Sequence, residues 1–345
     1  MDDVLKKQVI ERLQQIPRKQ DRAVVLLPDF FVDHFVVYDS WAHFVSQADQ
    51  KRLQGGGNIP GVAQSISQGG NAANTALALA RLGIASYLIC RTDPLGYHLL
   101  DFFLGKHGVD LSHVKTDGKI ALTTALEFQK DAANVMLGDP GSVADFSFSL
   151  LDENDLALIK QCSMVCVVNW NLNAYGTSLA SEVFSYAKKE GVTTFFDCGD
   201  PSPRLQDLSH LMKHVVTSHN LDIFGLNENE FMHLSKLKKA QQEDILRAAK
   251  MFKQHISARL DIHTADFSCS YGDSFTCVPV LSVPTIYRLT GAGDAWNAGD
   301  IFAELHGFSA QERLFFANAY AGYYISSKTP HHADIEEILQ FLQQI

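Results

Sequence analysis

MVCVVNW (164–170), TTFFD (193–197) and DIFGLN (222–227) are short apolar runs rich in β-branched and aromatic residues, the composition of buried parallel strands. Between them lie segments of helical length, 176–190 and 204–214, and further helical sequence continues to about 255. Strand and helix in alternation predict an α/β fold, a doubly wound, mostly parallel sheet flanked by helices on both faces. Such sheets bind ligands beyond the carboxyl ends of their strands, so function is sought in the residues that follow these runs.

Working outward, AVVLL (23–27) has the same buried-strand character and stops at Pro28, which cannot donate to a ladder. A β-rich zone follows. FVVYDS (35–40), VAQSIS (62–67), ALTTALEF (121–128) and NVMLG (134–138) mix β-branched and aromatic residues with polar alternation, as a partly exposed sheet does. The glycine-rich QGGGNIPG (54–61) interrupts this zone, and the helix NAANTALALARLG (71–83), stopping at Gly83, divides it. No internal repeat or linker-like segment splits the chain. Residues 1–345 are therefore expected as one α/β domain, with inserted segments at about 34–67 and 120–139 forming a small β-sheet lid. At the N-terminus, residues 1–22 carry Leu5, Val9, Leu13 and Ile16 at near-helical spacing among charges. That pattern predicts an amphipathic surface helix rather than a signal peptide or a membrane span.

The composition, 46% hydrophobic and 20% charged, is that of a globular protein, which sets disorder aside. With 39 acidic against 29 basic residues the formal charge is −10, so a broad surface for nucleic acid or anionic lipid is not expected. A polyphosphate ligand would need local compensation from backbone dipoles or a metal ion. The six cysteines show no CxxC pair and several stand in apolar runs, which reads as reduced core thiols in a cytoplasmic protein.

Two motifs carry chemistry. In LTGAGDAWNAGDIFAELHG (289–307), Gly291, Ala292 and Gly293 are small enough for backbone N–H groups to approach an anion, and the spacing of Ala295, Ala298, Phe302 and Leu305 predicts a helix behind them. Free amides at a helix N-terminus stabilise charge on a phosphoryl group, and Asp294 in the first turn is placed to take the proton of an attacking hydroxyl. In QGGNAANTALALARLG (68–83), Gly69 and Gly70 let a polyol approach the backbone. Asn71 and Asn74 in the next helical turn can donate to and accept from vicinal hydroxyls. Asn169, Trp170 and Asn171 close a strand at the expected ligand edge, where the indole is either a buried core residue with satisfied polar neighbours or stacks on a sugar, and Asn171 could read hydroxyls.

Together these two motifs resemble the paired signatures of the ribokinase/PfkB family of carbohydrate and nucleoside kinases. Further matches follow in order: Asp33 after the first strand, RTDPLG (91–96), HGVDLSHV (107–114), NENE (227–230) and FANAYAGYYISS (316–327). The resemblance covers roughly residues 23–330. It implies a ribokinase-like fold, Mg²⁺, and transfer of a phosphoryl group from ATP to a sugar, with Asp294 as base and Gly291, Ala292 and Gly293 as the anion hole. By the same resemblance Asp33, Gly69, Gly70 and Asn74 bind the acceptor, Asn227, Thr264, Thr290 and Asn318 bind the nucleotide, and Glu230 serves the metal. An exposed lid sheet leaves reactive edges, so a homodimer is expected.

Three departures from the family pattern stand out. Where members carry an aspartate that helps hold a monovalent cation, and a threonine, this chain has Arg288 and Leu289; Arg288 either takes over the cation's electrostatic role or faces solvent. IHTADFS (262–268) lacks the usual glycines under the nucleotide, implying a different backbone path. RTDPLG lacks the glycine before its aspartate. A nucleoside, inositol or other polyol kinase is the near alternative, with Phe30, Phe31, Phe35 and Tyr38 as a wall for a base. A catalytically silent ligand sensor is another. No Walker-type loop or early GxGxxG supports a P-loop kinase or a nicotinamide dehydrogenase. His331 and His332 read as surface residues.

Overall fold

A computed structural model describes residues 3–17, 21–131, 133–238 and 241–345. Parts of the expected N-terminal helix and lid, residues 1–2, 18–20 and 132, lie outside the described residues. The strands are β1 (Ala23–Leu27), β2 (Phe31–Tyr38), β3 (Ala63–Gly69), β4 (Ala85–Leu88), β5 (Ala121–Phe128), β6 (Ala133–Asp139), β7 (Met164–Val167), β8 (Thr193–Asp197), β9 (Ile223–Asn227), β10 (Arg259–His263), β11 (Phe267–Tyr271) and β12 (Phe275–Pro279). Eight of them form one sheet in the order β12-β11-β10-β9-β8-β7-β1-β4, parallel from β10 to β4 and antiparallel at β11 and β12. The other four form a smaller sheet, β3-β2-β5-β6, in which β2 and β5 run parallel.

Strand alternation explains the layering. In β1, Val24 and Leu26 belong to one core cluster and Val25 and Leu27 to the other. Helices α1 (Asp3–Gln15), α2 (Trp41–Leu53), α3 (Asn71–Arg81) and α4 (Pro94–Phe103) occupy the first part of the chain. They are followed by α5 (Glu153–Gln161), α6 (Gly176–Lys189), α7 (Leu208–Leu211), α8 (Glu228–Ser235) and α9 (Gln242–Lys253). The last three are α10 (Ala292–Leu305), α11 (Ala310–Ser326) and α12 (Ile335–Gln344). Helices α1, α3, α10, α11 and α12 pack on one face, while α5, α6, α8 and α9 cover the other. Among the described residues no helix is long and apolar enough to cross a membrane.

Two local features differ from the sequence expectation, and a third shows the form of the altered turn. The stretch 204–214 is not one α-helix: a 3₁₀ segment (Ser202–Asp207) leads into α7 and then a π-turn (Met212–Val216), with Arg204 non-helical because its guanidinium bonds the Trp170 and Asn173 carbonyls. Helix α2 was not anticipated; it buries no residue, so its sequence shows no apolar stripe. It leans on the smaller sheet through Phe44 and Trp41, which meet Tyr38 and Phe128. IHTADFS forms a tight β10–β11 connection closed by the Thr264 hydroxyl, which accepts from the Asp266 and Phe267 amides at 3.1 and 3.0 Å.

Candidate active site

Two helix N-termini, α3 and α10, converge above the carboxyl end of the main sheet. No side chain of its own caps α3. Asp29, fully buried just beyond β1, does so from a distance, accepting from the Asn71 and Ala72 amides at 2.8 and 2.9 Å and from the Asn169 side-chain amide at 2.7 Å. The turn requires glycine at 70, where φ is 97° and an added Cβ would lie 2.9 Å from the Asp29 carboxylate. Gly69 ends β3 directly against Asp33, where an added Cβ would fall 2.3 Å from a carboxylate oxygen.

One turn into α3, the Asn74 amide donates to the Asp294 carboxylate at 2.9 Å. Asp294 is buried in the first turn of α10, whose N-cap Gly291 has φ 82°. The Ala292 amide turns back to the Leu289 carbonyl at 3.1 Å, and the Gly293 and Asp294 amides have no main-chain acceptor among the described residues. Burial pushes the Asp294 carboxyl well above the usual carboxylate range, opposed by the Asn74 bond and reinforced by Asp197, Asp29 and Asp33. Burial likewise lifts Asp33 to about 6, against a bond from Thr123. Asp33, Gly69, Gly70, Asn74 and Asp294 are thus brought together. Asn171 stands near them: it follows β7, its carbonyl oxygen is buried without a partner among the described residues, and it closes against Gly199.

Sequence reading overlooked two carboxylates here, Asp29 and Asp197. Asp197 ends β8 and accepts from the Gly199 amide at 2.8 Å and the Asn297 side chain at 2.6 Å. Nearby, Asn227 and Glu230 bond reciprocally across the start of α8, the Asn227 side chain donating at 2.7 Å and its backbone amide at 2.8 Å. Burial raises Glu230 far above its ordinary range, and Asp197 adds to the rise. The signal that could have found both overlooked residues is an aspartate at the carboxyl end of a buried strand.

On the other side of the α10 N-terminus lies a cavity of about 870 Å³, bounded by the β10–β11 turn, residues 280–289, the start of α10 and one flank of α11. Val280, Leu281, Val283, Ile286, Ala321 and Ile325 make it largely apolar. His263 stacks on Trp296 at 4.7 Å as part of its wall, and burial pushes that imidazole down to about 4. Asn227, Thr264 and Asn318 also line it, whereas Thr290 is exposed and is not among its lining residues. Two of these expected nucleotide ligands are internally engaged. Thr264 closes its own turn, and Asn318 accepts from the Trp296 indole at 2.9 Å while donating to the Pro279 carbonyl at 3.2 Å.

Other expectations are corrected by packing. Trp170 is fully buried, its indole donating to Thr177 at 2.8 Å under the Arg204 guanidinium, so it offers no face to a sugar. Phe30, Phe31 and Tyr38 are also buried, which removes most of the wall proposed for a base. His332, read as a surface residue, is buried, and His331 pairs with Glu337 at 2.9 Å.

Residues 33–336 match the pattern described as pfkB family carbohydrate kinase. The chain belongs to that family. Among curated relatives, a 5-dehydro-2-deoxygluconokinase of Geobacillus thermodenitrificans is 27% identical over 299 residues, covering 80% of this chain and 84% of the relative. A ribokinase of Haemophilus influenzae is 24% identical over 295 residues, 84% and 91% of the two chains. Among solved structures, Arabidopsis thaliana ribokinase complexed with ribose and ATP superposes with a TM-score of 0.74 at 21% identity, covering 93% and 98%. These relatives are carbohydrate kinases, and the fold shared with the solved structure is ribokinase-like. In this pfkB kinase, Arg288 is half-buried and its guanidinium is engaged by the main chain. Its guanidinium donates to the main-chain carbonyls of Tyr324 (3.3 Å), Ser327, Lys328 (2.8 Å) and Thr329 (3.0 Å) at the end of α11, and lies over the Tyr324 ring.

Proposed function

We propose that this kinase moves the γ-phosphoryl group of ATP to a hydroxyl of a sugar, with Asp294 as general base. The observation that carries this reading is the position of Asp294 at the α10 N-terminus. Asn74 and Asp33 lie on one side of it, and the 870 Å³ cavity reaches Ala292 and Gly293 on the other. The acceptor hydroxyl gives its proton to Asp294 as its oxygen bonds the γ-phosphorus and the bond to the bridging oxygen of ADP breaks. The unpartnered Gly293 and Asp294 amides and the helix dipole stabilise the charge on the transferring group. Asn74 holds the Asp294 carboxylate toward the acceptor, and Asp33 binds a second hydroxyl. The apolar walls of the cavity suit an adenine ring.

The cavity lining includes no lysine or arginine among the described residues, so the polyphosphate calls for a divalent cation. The residues fit Mg²⁺ held largely through water. Glu230 and Asp197 are raised by burial, with Asp197 adding to the rise of Glu230, a negative potential that a cation relieves. Among the described residues there is no cluster of three or more ligating side chains. When bound, the ion supplies charge neutralisation at the phosphates.

The relatives are named for 5-dehydro-2-deoxygluconate and ribose, and the burial of Phe30, Phe31 and Tyr38 disfavours a nucleoside base. The smaller sheet is proposed as a lid that pairs with a second copy. Ile66, Leu122, Val135 and Leu137 share its outer face and are exposed, and β6 is an open edge. The test is nucleotide turnover with MgATP and MgADP across ribose, 5-dehydro-2-deoxygluconate, other sugars, inositols and adenosine. Turnover with a sugar and MgATP is expected, and silence across the panel would overturn the catalytic reading in favour of a ligand sensor.

A further inference from the structure

Behind the phosphate-binding end of α10, a second cavity of about 160 Å³ opens between α3, the turn after α4 and the loop 330–332. Its lining gathers Arg81, Lys106, His107, His331 and His332 with Gln68, and includes no carboxylate. Asp334 and Glu337 stand behind it. They take two of the donors of Arg81 at 3.2 and 2.9 Å, and Glu337 also accepts from His331. Two groups of the lining are left without such partners among the described residues. Lys106 lies over the Phe102 ring at 5.0 Å and has no carboxylate partner among the described residues. His332 is buried, and its Nδ1 has no hydrogen-bond partner among the described residues. Burial, then His331, Arg81 and His107, hold His332 down to about 3, and burial followed by Arg81, Lys106 and His331 lowers His107.

We propose that this cavity is a binding site for a small tetrahedral oxyanion, a free phosphate or the phosphoryl end of a phosphomonoester, held by Lys106, His107, His332 and Gln68. The volume equals the share of about five liquid waters at ~30 Å³ each, room for an oxyanion and its remaining waters but not for a nucleotide. An ammonium, an amide and two imidazoles supply donors of the kind oxyanions accept. The site is distinct from the catalytic one yet adjoins it. The His332 ring stacks on Tyr324 at 4.7 Å, and the Tyr324 hydroxyl crowds Gly291, within 2.6 Å of where a Cβ would stand.

The experiment titrates inorganic phosphate into the full chain by calorimetry, with wild type beside Lys106→Gln and the double variant Lys106→Gln/His107→Gln. Both residues are outside the catalytic machinery, Lys106 exposed and His107 half-buried, so unchanged circular dichroism and unchanged turnover in phosphate-free buffer serve as the folding control. Saturable binding, weakened about tenfold by the single variant as one charge-assisted bond is lost and further by the double, is the expected result. Absence of saturable binding would overturn the site. So would binding untouched by either variant, which belongs to the α10 N-terminus instead. Ribose 5-phosphate titrated in parallel separates the two sources: binding at least as tight assigns the cavity to a phosphomonoester, and weaker binding assigns it to free phosphate.

Discussion

The two sides of the α10 N-terminus solve opposite electrostatic problems. On the acceptor side Asp29, Asp33 and Asp294 crowd together, and every one of them is raised by burial above its ordinary range. On the nucleotide side an apolar cavity offers a polyphosphate neither lysine nor arginine among its described lining residues. In the proposed mechanism the crowded carboxylates of the acceptor side favour holding a proton, while the nucleotide side would rely on amides, a helix dipole and a metal ion. Asp294 sits at the boundary, where the proposed mechanism has the acceptor proton and the developing phosphoryl charge meet.

The sharpest way to break this division is Asp294→Asn. Shape and the bond with Asn74 are preserved and the base is lost, so kcat should fall about 10²–10⁴-fold, roughly 3–5 kcal/mol in the barrier, with KM for the acceptor changing far less. Steady-state kinetics on purified, folded variant check this. Retention of more than about a tenth of wild-type kcat falls outside the general-base range and would reduce Asp294 to a helix residue.

A smaller effect is expected at Asp29, which acts through structure. Asp29→Ala strands the Asn71 and Ala72 amides and the Asn169 side chain, and should lower stability by about 2 kcal/mol in denaturant unfolding. A loss below about 0.5 kcal/mol would mean that α3 does not depend on this remote cap.

Much of this arrangement was legible in the sequence, for identifiable reasons. Strands β1, β7, β8 and β9 announced themselves because a strand buried on both faces is apolar throughout, and α3 and α10 because glycine and small residues precede a 3.6-residue apolar period. That Asn74 and Asp294, 220 residues apart in sequence, share one site came only through the family resemblance, and the bond between them is visible only in the fold, since no local pattern encodes it. Asp29 and Asp197 were missed because each looks like the ordinary polar end of a strand, and their weight comes from burial that only the tertiary fold confers. Helix α2 was missed because it buries nothing, and the depth of His332 because a histidine pair in a loop carries no signal of the aromatic stack it will enter.

On the nucleotide side, the Arg288 clamp predicts an absence of effect. A permanent cation already satisfies four carbonyls at the end of α11, so removing potassium and sodium at matched ionic strength should leave turnover unchanged. Strong stimulation by potassium alone would show that a mobile cation is still required there.

The most direct measurement is the acid limb of kcat/KM against pH, which reports the essential base of the free enzyme. With Asp294 as that base, the rate climbs with pH and levels off above the usual carboxylate range, because burial raises the group. Asn74→Ala removes the amide that favours the charged form, so its limb should move to higher pH. Asp33→Asn removes a neighbouring negative charge, so its limb should move to lower pH. Shifts of opposite sign identify the carboxylate that both residues touch electrostatically as the base. A limb that stays put in both variants, or moves the same way in both, would contradict the assignment of Asp294.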